Sequence, residues 1–273
     1  VWLAGIPIRA GYNRKWGRWL LTHRVDDRKA LGERHEVEYN LDLIRALGLP
    51  TTIPQWRLPR FDREQAEVLQ LHQRQGIKPS DSLIAVHPWT SNPLKQWPAG
   101  RLVELGRWLQ VEQGARVLVV GGPGEEALGR KIAQAIGPRT VDATGRTSLR
   151  QMAALLGRCQ VYVGNDTGPT HVAAAAGSSV VALFGASCPH RFSPRGSSAT
   201  ALWRELPCGP CATEPHLDRC VRCVYARPRC MSSITLGEVK ASLSEQIERV
   251  HPADRRAPEH PRAFALSGIG SGR

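Results

Sequence analysis

Between residues 82 and 184 the sequence alternates short, uninterrupted apolar runs with longer helical patterns. Leu83-Ile-Ala-Val-His87, Arg116-Val-Leu-Val-Val-Gly121, Gln160-Val-Tyr-Val-Gly164 and Ser179-Val-Val-Ala-Leu-Phe184 show no in–out alternation, so each reads as a strand buried on both faces. Helices are expected between them over 99–113, where Leu102, Leu105 and Leu109 fall in register, and over 125–136. Two more are expected over 148–157, with Ser148 as N-cap, and over 169–176, with Pro169 in the first turn. Strand–helix–strand repetition with right-handed crossovers implies a doubly wound, Rossmann-type α/β domain on a parallel sheet.

The remaining chain is less regular. A short apolar start at 1–6 leads into the basic aromatic segment Arg9-Ala-Gly-Tyr-Asn-Arg-Lys-Trp-Gly-Arg-Trp19. A helix is expected over 34–47, where Val37, Leu41 and Ile44 share a face with Leu43 or Leu47 and Gly48 ends the run. Three prolines mark a linker over 49–60, and a polar helix follows over 62–75. Residues 188–230 read as irregular, 236–250 as a last helix, and the Pro-, Gly- and Arg-rich tail 251–273 as disordered. The pattern divides the chain into 1–60, 61–80, 81–234 with a Cys-rich loop at 188–230, 235–250, and the tail 251–273. The first residue is Val1 and the opening already reads as structured, so a preceding part of the natural chain is expected.

Composition narrows the class. With 41% apolar and 22% charged residues, the 273-residue chain can bury a core, which excludes a disordered chain, a collagen and a coiled coil. The net charge of +13 points to a polyanionic partner (nucleic acid, an anionic membrane surface or a phosphate-rich ligand), or to a compositional preference for Arg. The least polar stretch, 172–186, contains Gly177, Ser178, Ser179 and Gly185 and is too short to span a bilayer. No secretory pattern opens the sequence, so its seven cysteines are expected as reduced thiols. Cys208-Gly-Pro-Cys211 and Cys220-Val-Arg-Cys223, with Cys230 beyond, form two C-x-x-C pairs that could hold zinc. Their eight-residue separation is shorter than the usual ribbon spacing, and a loop without metal is the favoured reading.

Ligands of doubly wound sheets bind beyond the carboxyl ends of the strands, where this sequence places three polar loops. The first, His87 to Pro98, carries Thr90, Ser91 and Lys95, two hydroxyls and an ammonium that suit a phosphate. Its alternative is a surface loop whose Trp97-Pro98 starts a helix. The second, Gly121-Gly-Pro-Gly-Glu-Glu126, allows close backbone approach, and Glu125 or Glu126 could accept from ribose hydroxyls. It lacks the dinucleotide spacing, and its alternative is a helix start with acids at the positive end of the dipole. The third, Gly164-Asn-Asp-Thr-Gly-Pro-Thr-His-Val-Ala-Ala174, ends a strand with a carboxylate and opens a helix of small residues. Its free amides favour an anion, Asp166 suits a sugar hydroxyl, and His171 could reach a phosphate. The alternative is Asp166 as a simple cap. Asp166-Thr-Gly168 also matches the aspartic-protease tripeptide; that chemistry needs two such carboxylates, which only a homodimer of this sequence could supply, and the α/β surroundings speak against it.

Taken in this order the loops resemble glycosyltransferase family 9, the ADP-heptose:lipopolysaccharide heptosyltransferases. The matching strings are Pro88 through Lys95-Gln-Trp-Pro98, Val119-Val-Gly-Gly-Pro-Gly-Glu-Glu126, Ala143-Thr-Gly-Arg-Thr-Ser-Leu149 and Gly164 to Ala174. Leu206-Pro-Cys-Gly-Pro-Cys211 and Cys230-Met-Ser-Ser-Ile234 are similar to the heptosyltransferase II branch, and Gly5-Ile-Pro-Ile-Arg-Ala-Gly-Tyr12 and His35-Glu-Val-Glu38 to the family's first domain.

The resemblance implies a GT-B fold: two Rossmann-like domains facing a cleft, the first incomplete here, with a C-terminal helix returning to it. It implies inverting transfer of heptose from ADP-L-glycero-D-manno-heptose to a lipid A–core acceptor. No cofactor, metal or nucleic acid is implied, and the location is the cytoplasmic face of the inner membrane, with peripheral binding to its anionic surface. Thr90, Ser91 and Lys95 would hold the diphosphate, Glu125 or Glu126 the ribose, and the backbone near Thr147 the adenine. Asp166 would hold the heptose, and Thr167, Gly168 and His171 would contact sugar or phosphate. Lys95 and Asp166 are the candidate catalytic groups. The family's general base, an Asp in a Gly-rich loop of the first domain, is expected before Val1, so no base is assigned. The second C-x-x-C pair departs from the family pattern. Other GT-B nucleotide-sugar enzymes, such as an epimerase, and a zinc-containing nucleic-acid module are the competing readings.

Overall fold

The computed structural model describes residues 2–14, 17–53, 56–196, 198–211 and 223–249. The tail expected to be disordered and Cys220 lie outside the described residues.

In chain order the elements are β1 (Ala10–Tyr12), β2 (His23–Val25), α1 (Glu36–Arg45), α2 (Asp62–Arg74), β3 (Leu83–His87), α3 (Ala99–Val111), β4 (Arg116–Val119), α4 (Glu126–Ile136) and β5 (Thr140–Asp142). There follow α5 (Leu149–Leu156), β6 (Val161–Asn165), α6 (Gly168–Ala176), β7 (Ser179–Leu183), α7 (Pro189–Phe192), β8 (Ala199–Leu202), α8 (Arg229–Ser232) and α9 (Leu236–Arg249). β1 and β2 pair in parallel as a small sheet against which α1 packs.

β3 to β8 form one six-stranded sheet in the order β5-β4-β3-β6-β7-β8, every pair parallel. Apolar side chains fill both faces. Ile84, Val86, Val117, Val119, Val161, Val163, Val181 and Leu183 point to the side covered by α3, α4 and α9. Leu83, Ala85, Leu118, Tyr162, Val180 and Ala182 point to the side covered by α2, α5 and α6. Burial on both faces is why these strands read as continuous apolar runs rather than alternating ones.

Six short elements depart from the expectation: β1, β2, β5, α7, β8 and α8. β5 has three residues, too few to show a period. β8 is an edge strand with one neighbour, and its Ala-Thr-Ala-Leu sequence is only half covered. With α7 and α8 it lies in the stretch expected to be irregular. α9 packs its buried Val239 and Leu243 on the six-stranded sheet, against α3, β6 and β7. Among the described residues no helix is long and apolar enough to cross a membrane.

The two units are joined through the first turn of α1. His35 caps that helix, with Nδ1 accepting from Val37 N at 3.3 Å, while Nε2 lies 2.8 Å from the Ser193 carbonyl. Arg191, only 3% exposed, pairs with Glu36 at 2.7 Å, and Arg195 pairs with Glu38 at 2.9 Å.

Candidate functional site

The strand order reverses direction between β3 and β6, and a crevice opens beyond the carboxyl ends of strands at such a switch point. Their register pairs His87 with Gly164, so the two strands end side by side. The loops leaving them carry Lys95 and Asp166.

Local turns fix the first loop. The Thr90 hydroxyl donates to the Asn92 carbonyl at 2.6 Å and accepts from Asn92 N at 2.9 Å. Asn92 Oδ1 then caps the 3-10 turn Pro93–Lys95. Trp97 anchors the far end: it is 1% exposed, and its indole donates to the Ile234 carbonyl at 2.9 Å. Asn165, at the end of β6 and 1% exposed, locks this loop to the neighbouring strand. Its Oδ1 accepts from Trp97 N at 2.9 Å, and its Nδ2 donates to the Pro88 carbonyl at 3.2 Å.

Across this seam Lys95 Nζ lies 2.8 Å from Asp166 Oδ2, with the carboxylate 8% and the ammonium 20% exposed. His171 Nε2, on the first turn of α6, lies 3.9 Å from Asp166 Oδ1. The His171 pKa is lowered because burial outweighs the pull of the Asp166 charge, and His35 and Lys95 push the same way, so the ring is neutral at pH 7. Ser187, which sequence reasoning missed, donates its hydroxyl to Asp166 Oδ2 at 2.5 Å.

The other candidate residues divide. Gly168 opens α6 with nothing within 4 Å of a notional β-carbon, so backbone is exposed to the crevice at a helix start. The Thr167 hydroxyl turns inward instead, 3.3 Å from His87 Nδ1 and 3.3 Å from the Asn165 carbonyl. Ser91 is exposed and Thr147 half-buried.

The Gly-rich loop after β4 forms a second cradle. Glu125 Oε2 accepts from Gly122 N at 2.7 Å, and Glu126 Oε2 from Gly124 N at 3.0 Å. Its own amide first, and then that of Gly124, hold the Glu126 pKa below the usual carboxylate range. Gly145, left-handed at φ +68°, brings the loop after β5 against Glu126, where a side chain would overlap the carboxylate. Trp89 Nε1, buried and without a hydrogen-bond partner, borders the same space beside Gly121.

Towards the β8 edge of the sheet an open groove of about 640 Å³ lies between the two units, lined by His35, His190, Ser193, Arg195 and Trp203. The thiol loop sits behind the site. Cys223 packs with Leu94 and Ala186, and burial first, then the neighbouring Cys223 and Cys208, raise the Cys230 pKa. Among the described residues no three His, Cys, Asp or Glu side chains gather as a metal site.

The expected row of free amides at the start of α6 reduces to that of Gly168, because Pro169 has no N–H and the buried Thr170 amide donates to the Thr167 carbonyl at 3.1 Å. The arrangement therefore offers a cation, an anion and an exposed helix-start amide in one crevice, with two carboxylates over an adjoining Gly-rich cradle. That donor set suits a nucleotide diphosphate joined to a polyol.

The family model for glycosyltransferase family 9 (heptosyltransferase) matches residues 1–221. Lipopolysaccharide heptosyltransferase 2 of Escherichia coli K12 is 29% identical over 210 residues, covering 73% of this chain and 59% of that protein. Lipooligosaccharide heptosyltransferase 2 of Haemophilus influenzae is 30% identical over 148 residues, covering 51% of this chain and 42% of that protein. The chain thus spans between 42% and 59% of the length of these curated relatives. The structure of E. coli ADP-heptose LPS heptosyltransferase II superposes with a TM-score of 0.70 at 25% identity, over 91% of this chain and 72% of that one. A family 9 glycosyltransferase from Veillonella parvula shares the fold with a TM-score of 0.74 at 22% identity, over 91% and 69%. The architecture is accordingly α/β of GT-B type, its first unit represented here by β1, β2 and α1. By a family match that extends over most of its length, the chain belongs to glycosyltransferase family 9.

Proposed function

We propose that this chain carries the donor-binding half of an inverting heptosyltransferase. It takes heptose from ADP-L-glycero-D-manno-heptose and delivers it to the lipid A–core acceptor of lipopolysaccharide, at the cytoplasmic face of the inner membrane. The observation that carries the reading is the 2.8 Å approach of Lys95 to Asp166 at the switch point of the sheet. Relatives named as heptosyltransferases support the choice of sugar and acceptor. The excess of positive charge complements the anionic acceptor and the membrane surface that presents it.

Glycosyl transfer proceeds through an oxocarbenium-like state while the diphosphate departs with growing negative charge. Lys95, the Thr90 and Ser91 hydroxyls and the Gly168 amide at the start of α6 supply fixed donors for that charge. Thr90 first gives up its bond to the Asn92 carbonyl, a rotation of one torsion. Asp166 accepts from heptose hydroxyls, and neutral His171 and Gly168 border the same sugar. Thr167 contributes backbone, because its hydroxyl is turned inward. Glu125 or Glu126 accepts from the ribose, and the backbone near Thr147 lies along the adenine. With the leaving charge met by an ammonium, hydroxyls and the Gly168 amide, transfer proceeds without a divalent metal or cofactor. The general base is not among these residues.

Calorimetric titration of the whole protein with ADP, ADP-heptose, UDP and UDP-sugars tests the reading. The expected result is a clear preference for ADP and its heptose conjugate. In Lys95→Ala, ADP affinity drops about tenfold to a hundredfold, the effect of losing a charge-assisted hydrogen bond. Transfer drops by at least two orders of magnitude in the same variant. A preference for UDP, or unchanged binding and transfer in Lys95→Ala, overturns it.

A further inference from the structure

We propose that Ser187 is a positioning residue that holds Asp166 in place when Lys95 leaves it for the donor's diphosphate; the inference rests on the reading above.

Asp166 is held asymmetrically. Two donors converge on Oδ2: Lys95 Nζ at 2.8 Å and the Ser187 hydroxyl at 2.5 Å. An ionised carboxylate only accepts, so Ser187 is the donor. The other oxygen, Oδ1, has His171 Nε2 at 3.9 Å, beyond hydrogen-bond range. One oxygen is thus anchored, and the other lies towards the partly exposed His171, where a sugar hydroxyl is expected.

The two anchors differ in kind. Lys95 is a long, 20% exposed cation that any polyphosphate in the crevice attracts. Ser187 is neutral, short and fully buried, so nothing in the crevice competes for it. Its loop is packed from behind: a β-carbon on Gly185 would meet Met231 and, at 3.1 Å, Cys230 Sγ, while Ala186 packs with Leu94. Leu94 immediately precedes Lys95, so the same contact ties the loop of the departing cation to the loop of the remaining hydroxyl.

When Lys95 turns to the diphosphate, Asp166 loses its counter-ion while 8% exposed. A carboxylate in that position either keeps a strong donor or takes up a proton. Ser187 keeps it ionised and aimed, so that binding the diphosphate and gripping the sugar do not compete for Lys95. The titratable groups around Asp166 are Lys95 from the loop after β3 and His171 from α6, with His35 of the α1 cap acting on His171.

The test uses the whole protein with Ser187→Ala and Ser187→Thr, and the pair Lys95→Ala and Lys95→Ala/Ser187→Ala. In Ser187→Ala, ADP binding stays within about twofold of wild type, because ADP carries no heptose for Asp166 to hold. Transfer from ADP-heptose drops in kcat/KM by about tenfold to a hundredfold, and its acidic limb moves to higher pH. Ser187→Thr restores most of the loss. Independently of any nucleotide, carboxyl carbon NMR of Asp166 shows protonation at higher pH in Lys95→Ala/Ser187→Ala than in Lys95→Ala, because a lost donor disfavours the charged form. An unchanged acidic limb in Ser187→Ala, an equal loss of ADP and ADP-heptose binding, or identical Asp166 titrations in the Lys95→Ala pair overturns the inference. Wild type that ignores ADP rejects the donor assignment instead, and the NMR pair still decides the role of Ser187.

Discussion

At Gly121 a β-carbon would fall 2.6 Å from Trp89 Nε1, 2.7 Å from Glu125 Oε2 and 2.9 Å from Thr144 Cγ2. Glu125 can swing away, but Trp89 and Thr144 are buried and cannot. Gly121→Ala is therefore expected to displace the carboxylate and weaken ADP binding about tenfold by calorimetry, since overpacking a tight site costs on the order of 1–3 kcal/mol. Residue-scale legibility was uneven. Lys95, Asp166 and Glu125 were readable because charged side chains in the polar loops that follow buried strands stand out by type and place. Asn165 and Ser187 were not. Each is a common polar residue whose meaning lies in a partner far along the chain: Trp97 and Pro88 for one, Asp166 for the other. The Thr167 hydroxyl shows the converse, since a residue in the expected motif spends its side chain on the protein itself.

Among the elements, α5 shows how local sequence sets a boundary. Ser148 Oγ accepts from Gln151 N at 3.3 Å, and Gln151 Oε1 accepts from Ser148 N at 2.8 Å, a reciprocal cap. A helix of eight residues is marginal alone and relies on this cap and on its buried Leu155 and Leu156. Ser148→Ala should cost about 1 kcal/mol of unfolding free energy, measured as a lower urea midpoint with unchanged slope. Helices with a clear apolar stripe and strands buried on both faces could be read from residue order alone. β5, β8 and the first small sheet could not, because three or four residues carry no usable period and their pairing comes from neighbours remote in sequence.

For the molecule as a whole, two interior histidines link stability to pH. Burial lowers the His72 and His87 pKa values from 6.5 to about 4, with Arg158 adding to the effect at His72. Both therefore remain neutral in the folded state at a pH where the unfolded chain takes up a proton. Stability is full above about pH 6.5 and is lost as the pH falls from there towards 4. Each group contributes about 2 kcal/mol of that loss by pH 5, so urea midpoints measured from pH 7.5 to 5 should fall steadily. A flat profile over that range contradicts the buried neutral state of both rings.

Residue order alone determined the parallel α/β class, the loops in which Lys95, Asp166 and Glu125 fall, and the family resemblance, because hydrophobic period and motif spacing are local properties of the chain. Only the tertiary structure decided which groups meet. The switch between β3 and β6 brings Lys95 to Asp166 across 71 positions, and the turn after β7 adds Ser187. Contacts of that kind depend on strand order and on close packing across the sheet, and neither leaves a periodic trace in the sequence.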